Sequence, residues 1–223
     1  MEKFIEGIRA CIVQYDCYLV GGDTVKGAMS IGVQVIGICE SQPIYRSGAK
    51  ENDLVAVTGF LGGAKTAIPF LGCQGELSPD IKYVLQRYHR PSPRIHLAKK
   101  LNKYINSAID ISDGLVSDIE HIASQSRKKI SLIKDNVPID PKILALVTEE
   151  TAVENALAGG DDYELAFTFN RDHLDKVNSI GSAANVPITV IGTVEEGLGV
   201  NVMSKSGGVS DHYASQGFDH FMT

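Results

Sequence analysis

Apolar positions along the chain follow two periods, and the switches between them mark out the elements. Phe4, Ile8, Ile12 and Tyr15 fall on one face of a helix, and the short apolar run Cys17 to Val20 behind them reads as a strand. Gly21-Gly22-Asp23-Thr24 interrupts that run. Met29, Ile31, Val33 and Val35 then alternate with Ser30, Gly32 and Gln34, which predicts a second strand and hence a ribbon with a Gly-Gly-Asp tip. A helix and two strands cannot bury their own apolar faces. Either the following segment or a second copy of the chain is expected to cover them, and we take the second copy.

Past Pro43, Leu54 to Thr58 reads as a buried strand leading through Gly59-Phe60-Leu61-Gly62-Gly63 into a helix near Ala64. Ser78-Pro79-Asp80 carries three helix-start signals: an N-cap serine, proline at the first helical position and an acid in the first turn. Two prolines in Arg90-Pro91-Ser92-Pro93-Arg94 end that helix, and Ile95, Ala98 and Leu101 mark another. Ser107 to Ile111 predicts a short strand, followed by a helix whose inner stripe is Leu115, Ile119, Ile122 and Ala123. Further strands are expected at Ile130 to Ile133, Tyr163 to Phe169 and Ile188 to Val194, with Val200 to Met203 pairing with the last as a hairpin. Short helices are expected near Leu144 and Ala156, and Asn170 is placed to cap a helix reaching Ala184. Strands interleaved with helices predict an α/β or α+β domain with a mixed sheet.

At 223 residues the chain is long enough for one large domain or two small ones, and we place the boundary between residues 40 and 41. Its 21 Lys and Arg against 27 Asp and Glu leave a net charge of −6, which argues against generic binding to nucleic acid or to an anionic membrane. No stretch approaches the roughly 20 apolar residues of a membrane helix. Glu2, Lys3, Glu6 and Arg9 stand where a secretion signal would be apolar, so a cytoplasmic protein is expected. Cys11, Cys17, Cys39 and Cys73 share no ligand spacing and are expected to act as small buried hydrophobes.

Three loops put a carboxylate beside small residues at a strand mouth, where ligands bind α/β sheets. They are Asp23 after Gly21-Gly22, Asp110 and Asp113 around Ser112, and Asp161-Asp162 after Gly159-Gly160. Glycine admits a close backbone approach and aspartate supplies hard oxygen ligands for Mg²⁺ or Ca²⁺, although both residues also form turns for their own sake. Asp110-Ile111-Ser112-Asp113-Gly114 fails as a calcium loop, since glycine is fifth rather than sixth. It fits a strand-to-helix turn in which the carboxylates face a cation while Ser112 and free helix N–H groups face an anion. Metal with phosphate is the natural ligand pair. Arg46 is a candidate phosphate fork. Gly59-x-x-Gly62-Gly63 follows a strand as a phosphate cradle does, but it lacks the Lys-Ser/Thr of a P-loop. The six histidines, among them His89, His121 and His220, show no paired ligand spacing.

Leu19-Val20-Gly21-Gly22-Asp23-Thr24, Arg46-Ser47-Gly48-Ala49-Lys50, Arg90-Pro91-Ser92-Pro93-Arg94, Ile109 to Leu115, Gly159 to Leu165 and Gly217-Phe218-Asp219-His220-Phe221, taken in order, resemble the thiamine-monophosphate kinase family. The resemblance covers essentially the whole chain and implies the aminoimidazole-ribonucleotide-synthetase-like (PurM-like) fold. Residues 1–40 then correspond to the end of an N-terminal ATP-binding and dimerisation domain, and 41–223 to the C-terminal domain. It also implies phosphoryl transfer from ATP to thiamine monophosphate with Mg²⁺, in a homodimer. By the same resemblance Gly22, Asp23, Arg46 and Ser112 bind ATP, Asp23, Asp110 and Asp113 bind metal, and Asp161 and Phe218 bind the thiamine moiety. Asp161 stands where some relatives have Glu, and Phe218 where others have Tyr, changes that keep the charge and the stacking face. Family members carry further Asp-rich metal motifs and most of the dimer-forming domain ahead of the position of Met1. The alternatives are a non-catalytic nucleotide- or thiamine-phosphate-binding module, or another ATP-dependent synthetase of the same fold.

Overall fold

In the computed structural model, which describes residues 1–39, 42–206 and 209–210, the apolar run Leu54–Thr58 forms strand β1 with all five residues buried. A strand buried on both faces needs a layer on each side, and the chain supplies both. Val55 and Val57 face a cluster built with α5 (Leu115–Ser126) and α7 (Glu149–Ala158), including Ile119, Ile122, Ala156 and Leu157. Leu54 and Ala56 face the opposite cluster, where Leu97 and Leu101 of α4 (Ile95–Leu101) meet Val177 and Ile180 of α8 (Leu174–Ala183). A smaller cluster joins α2 (Gly63–Ala67), α3 (Pro79–His89), α6 (Pro141–Leu144) and α7 through Ala67, Val84, Ile143 and Ala152.

Among the described residues seven strands make one mixed sheet: β2 (Ser107–Asp110), β4 (Leu165–Phe169), β1, β5 (Ile188–Glu195), β3 (Lys129–Ile133), β6 (Gly199–Met203) and β7 (Val209–Ser210), in that spatial order. All neighbouring pairs are antiparallel except β3 and β6. The expected hairpin between Ile188–Val194 and Val200–Met203 is therefore overturned. Lys129 pairs with Glu195 on one side and Gly199 on the other, so β3 is inserted between the two sequence neighbours. Insertion covers both edges of β3 and keeps Ile130 and Leu132 in the core, which a local hairpin would leave on an edge strand.

Local signals account for the helix starts. Ser78 Oγ accepts from the Ile81 N–H, Thr148 Oγ1 from the Thr151 N–H, and Asn170 Oδ1 from the Asp172 N–H in a single 3₁₀ turn that feeds α8. The Tyr163-to-Phe169 alternation was expected to separate two faces; the strand proper begins at Leu165, and Ala166, Phe167, Thr168 and Phe169 are all buried because both faces carry helices.

Residues Met1–Glu40 form a unit distinct from Ser41–Thr223. Within it α1 (Glu2–Tyr15) forms as its periodicity requires, yet none of residues 1–39 is buried. The strands expected at Cys17–Val20 and Met29–Val35 do not form, because alternation without a ladder partner leaves backbone N–H and C=O groups unpaired. The cysteines correct a second expectation. Cys11, Cys17, Cys39 and Cys73 are all exposed, since three belong to this uncovered unit and Cys73 sits in the loop after α2. Among the described residues no helix is long and apolar enough to cross a membrane.

One buried polar atom stands out in the sheet. Ser131 Oγ on β3 has no hydrogen-bond partner among the described residues, and a buried hydroxyl without a partner costs stability. Ser131→Ala is expected to raise stability by about 1 kcal/mol, or roughly 2–4 °C in melting temperature. A lower melting temperature for the alanine variant would show that the hydroxyl is satisfied in solution.

Candidate active site

The regular β2–β4 ladder ends at Asp110 opposite Leu165, but the two chains stay together beyond it. Ile111 N–H donates to the Glu164 carbonyl at 2.8 Å, Tyr163 N–H to the Ile111 carbonyl at 2.8 Å, and Asp161 N–H to the Ser112 carbonyl at 2.9 Å. Backbone bonding thus fastens the 110–114 turn to the 159–164 turn. Close approach explains the glycine: a Cβ on Gly160 would lie 2.2 Å from the Ser112 carbonyl oxygen.

Side chains of 161–164 alternate: Asp161 and Tyr163 are exposed, Asp162 and Glu164 buried. Tyr163 Oη donates to Asp161 Oδ1 at 3.1 Å. Partial burial raises the Tyr163 phenol pKa, its hydrogen bond to Asp161 adds to this, and the charges of Asp161, Asp110 and Asp113 push the same way. The carboxylates of both turns therefore share one electrostatic neighbourhood. Asp118, in the first turns of α5, accepts from the N–H groups of Ser112 and Asp113 at 3.0 and 3.1 Å and so holds the turn. Burial pushes its carboxyl up to about 6 against those two bonds, helped by the charges of Asp113 and Asp110.

No salt bridge among the described residues compensates Asp110 or Asp113. Two hard oxygen donors with uncompensated charge fit a divalent cation, and Mg²⁺ is ordinarily held by one or two carboxylates with substrate phosphates completing its shell. No group of three or more His, Cys, Asp or Glu side chains able to hold a metal occurs among the described residues.

Arg46 and Asp110 line the same open cleft of about 620 Å³, with Tyr45, Ser47, Ile109 and Gln125. Ser126, the last residue of α5, holds the Arg46 loop with its full hydrogen-bonding capacity. Its Oγ accepts from the N–H groups of Gly48 and Ala49, both at 3.2 Å, and donates to the Arg46 carbonyl at 3.3 Å. Gly22 and Asp23 belong to the 1–40 unit, where Asp23 is exposed and Oδ1 accepts from the Thr24 N–H at 2.7 Å. Phe218 lies outside the described residues.

The glycine turn after β1 is not a phosphate cradle. Its N–H groups are taken by the protein's own carboxylate, since Asp162 accepts from Gly62 at 2.6 Å and from Ala64 at 3.3 Å. Sequence spacing cannot show that an anion site is already filled from 100 residues away. Glu164 and Ser126 were missed as site-forming residues for the same reason, whereas Asp118, which was also missed, holds N–H groups only five and six positions before it. One signal was available: alternation carried back from β4 places residues 162 and 164 inside when 161 and 163 are outside.

Burial pushes the Asp162 carboxyl up to about 6, against the Gly62 and Ala64 N–H groups and the Arg87 charge, with Glu164 adding to the rise. The folded protein then binds this proton more tightly than the unfolded chain, so stability is greatest below about pH 4 for this group and is lost as pH rises through about 6. Asp162→Asn is expected to flatten the fall in melting temperature between about pH 4 and 6, with Asp118 supplying the slope that remains. An unchanged slope would assign it to other groups.

The chain matches no family model. It is 35% identical over 230 aligned residues to thiamine-monophosphate kinase of Salmonella typhimurium, covering 100% of this chain and 69% of that protein. A solved structure, AaThiL complexed with AMPPCP and TMP, superposes with a TM-score of 0.77 at 29% identity over 99% of this chain and 68% of that one. The E. coli hydrogenase maturation protein HypE shares the fold, with a TM-score of 0.59 at 18% identity over 79% of this chain and 52% of that one. The fold is thus the PurM-like one. Identity across the whole length, on a fold that draws both acidic turns to one mouth, establishes that the chain belongs to the thiamine-monophosphate kinase family.

Proposed function

We propose that this chain transfers the γ-phosphoryl group of ATP to the phosphate of thiamine monophosphate, and that the joined acidic turns are where it does so. The observation that carries the reading is the three-bond seam between residues 111–112 and 161–164, which gathers Asp110, Ser112, Asp113 and Asp161 at one mouth beside the Arg46 cleft. In the reaction a phosphate oxygen of thiamine monophosphate attacks the γ-phosphorus of ATP, a new P–O bond forms, and ADP leaves. Such a transfer needs positioning and charge neutralisation rather than a nucleophilic side chain.

The residues divide by charge. Asp110 and Asp113 would hold Mg²⁺, which would supply neutralisation of phosphate charge. Arg46 forks a nucleotide phosphate, while Ser112 contacts ATP. Asp161 places a carboxylate near the positively charged thiamine ring system, and Phe218 offers it a stacking face. A second copy of the chain covers the apolar residues of 1–39, among them Phe4, Ile31, Val33 and Val35, all exposed in the single chain.

Incubation with ATP, Mg²⁺ and thiamine monophosphate is expected to yield thiamine diphosphate. Binding of both substrates without product would make the chain a binding module instead. Asp110→Asn, which removes one anionic ligand, is expected to weaken Mg²⁺-dependent nucleotide binding at least tenfold by calorimetry. Undiminished Mg²⁺ dependence in that variant would remove Asp110 from the metal site.

A further inference from the structure

The most heavily bonded side chain of the described residues is Glu164, which does not itself reach the solvent-facing mouth. Its carboxylate is fully buried and takes four donors: Thr58 Oγ1 at 2.7 Å, Arg87 Nη1 at 3.0 Å, Arg94 Nε at 2.6 Å and Arg94 Nη2 at 2.5 Å. Arg94 thus grips it as a two-pronged fork. Arg87 also donates from Nη2 to the Phe60 carbonyl at 3.0 Å, tying in the turn after β1. Space for the carboxylate is kept by Gly59, where a Cβ would lie 2.1 Å from Glu164 Oε1. Arg87 comes from α3, Arg94 from the Pro91–Pro93 link that opens α4 and Thr58 from the end of β1, so two distant pieces of chain, 87–94 and β1, converge on one carboxylate.

The segment this carboxylate ends is strained. Asp161 and Tyr163 both have left-handed backbone, with φ of 65° and 51°, a region disfavoured for residues with a Cβ and rare for an aromatic one. Such conformations persist only where their surroundings over-determine them, and they concentrate at functional sites. Asp162 pins the segment from inside through Gly62 and Ala64, and Glu164 pins it through the two arginines. Apolar residues of similar volume often stabilise a protein as well as a buried ion triad does, so stability alone is a weak reason for one here.

We infer that the Arg87–Glu164–Arg94 clamp is a positioning device, which holds Asp161 and Tyr163 in strained backbone facing the substrate mouth and so sets affinity for thiamine monophosphate. The inference rests on the proposed function for its substrate and on the observed bonds for its geometry. With the clamp weakened, the turn relaxes toward ordinary φ, the Asp161 N–H leaves the Ser112 carbonyl, and the Asp161 carboxylate loses its place.

Two measurements on the full chain test the clamp and its substrate separately. Glu164→Gln preserves shape and removes the charge; Arg94→Lys removes the fork and keeps the charge, and serves if the first variant does not melt cooperatively. Without any ligand, amide hydrogen exchange at Asp161 and Tyr163 is expected to quicken at least tenfold in either folded variant, with little change at β5. Unchanged exchange there overturns the clamp whatever the protein binds. In calorimetry, the dissociation constant for thiamine monophosphate is expected to rise at least tenfold, while that for AMPPCP with Mg²⁺ stays within twofold. A merely structural role would lower the binding stoichiometry or move both constants together, and either result overturns the inference. Wild-type protein that takes up no thiamine monophosphate overturns the proposed substrate, and faster exchange in the variants would still uphold the clamp.

Discussion

Three backbone hydrogen bonds between Ile111 or Ser112 and residues 161–164 are the constraint on which the site depends. They extend an antiparallel ladder past its regular end, where the peptide groups of the two turns satisfy one another. The result joins a strand-to-helix turn at the mouth of β2 to the entry of β4, two segments about fifty positions apart in sequence. The seam explains both why Gly160 has no room for a side chain and why carboxylates gather where no salt bridge among the described residues neutralises them.

Acidic groups in this region fall into two populations with opposite tasks. Asp110 and Asp161, which are exposed, and Asp113, which is half-buried, carry charge that a bound cation or cationic ring would compensate. Asp118, Asp162 and Glu164 are buried and spend their oxygens on backbone N–H groups, a hydroxyl and guanidinium groups. Burial is costly for a carboxylate, which shows in the raised pKa of Asp118 and Asp162. What the cost secures is geometry: each buried carboxylate fixes the backbone of a turn that presents an exposed one. The same logic governs Ser126, whose single hydroxyl holds three backbone groups of the loop bearing Arg46.

Most elements of the 41–223 unit could be read from the order of residues because their causes are local. Ser78, Thr148 and Asn170 cap the turns they precede, and Leu115, Ile119, Ile122 and Ala123 all lie in the core as their spacing requires. The acidic loops at 110–113 and 161 were legible too, since Asp and Gly at strand mouths state their chemistry through residue type. The first unit behaved differently. Its helix formed, whereas its alternating segments formed no ladder, because alternation describes a face and a strand additionally needs a neighbour.

Residue order alone therefore determined the helices, the buried strands and the kinds of ligand that the loops suit, each being a property of side chains within a few positions of one another. Only the tertiary structure decided which loops meet. It placed β3 between β5 and β6 against the expected hairpin, filled the Gly62 cradle with Asp162 in place of phosphate, and brought Arg87 and Arg94 onto Glu164. Those outcomes turn on contacts between residues about 60 to 100 positions apart, whose energies depend on burial and exact approach. No window of sequence contains both partners, so no local pattern encodes their meeting.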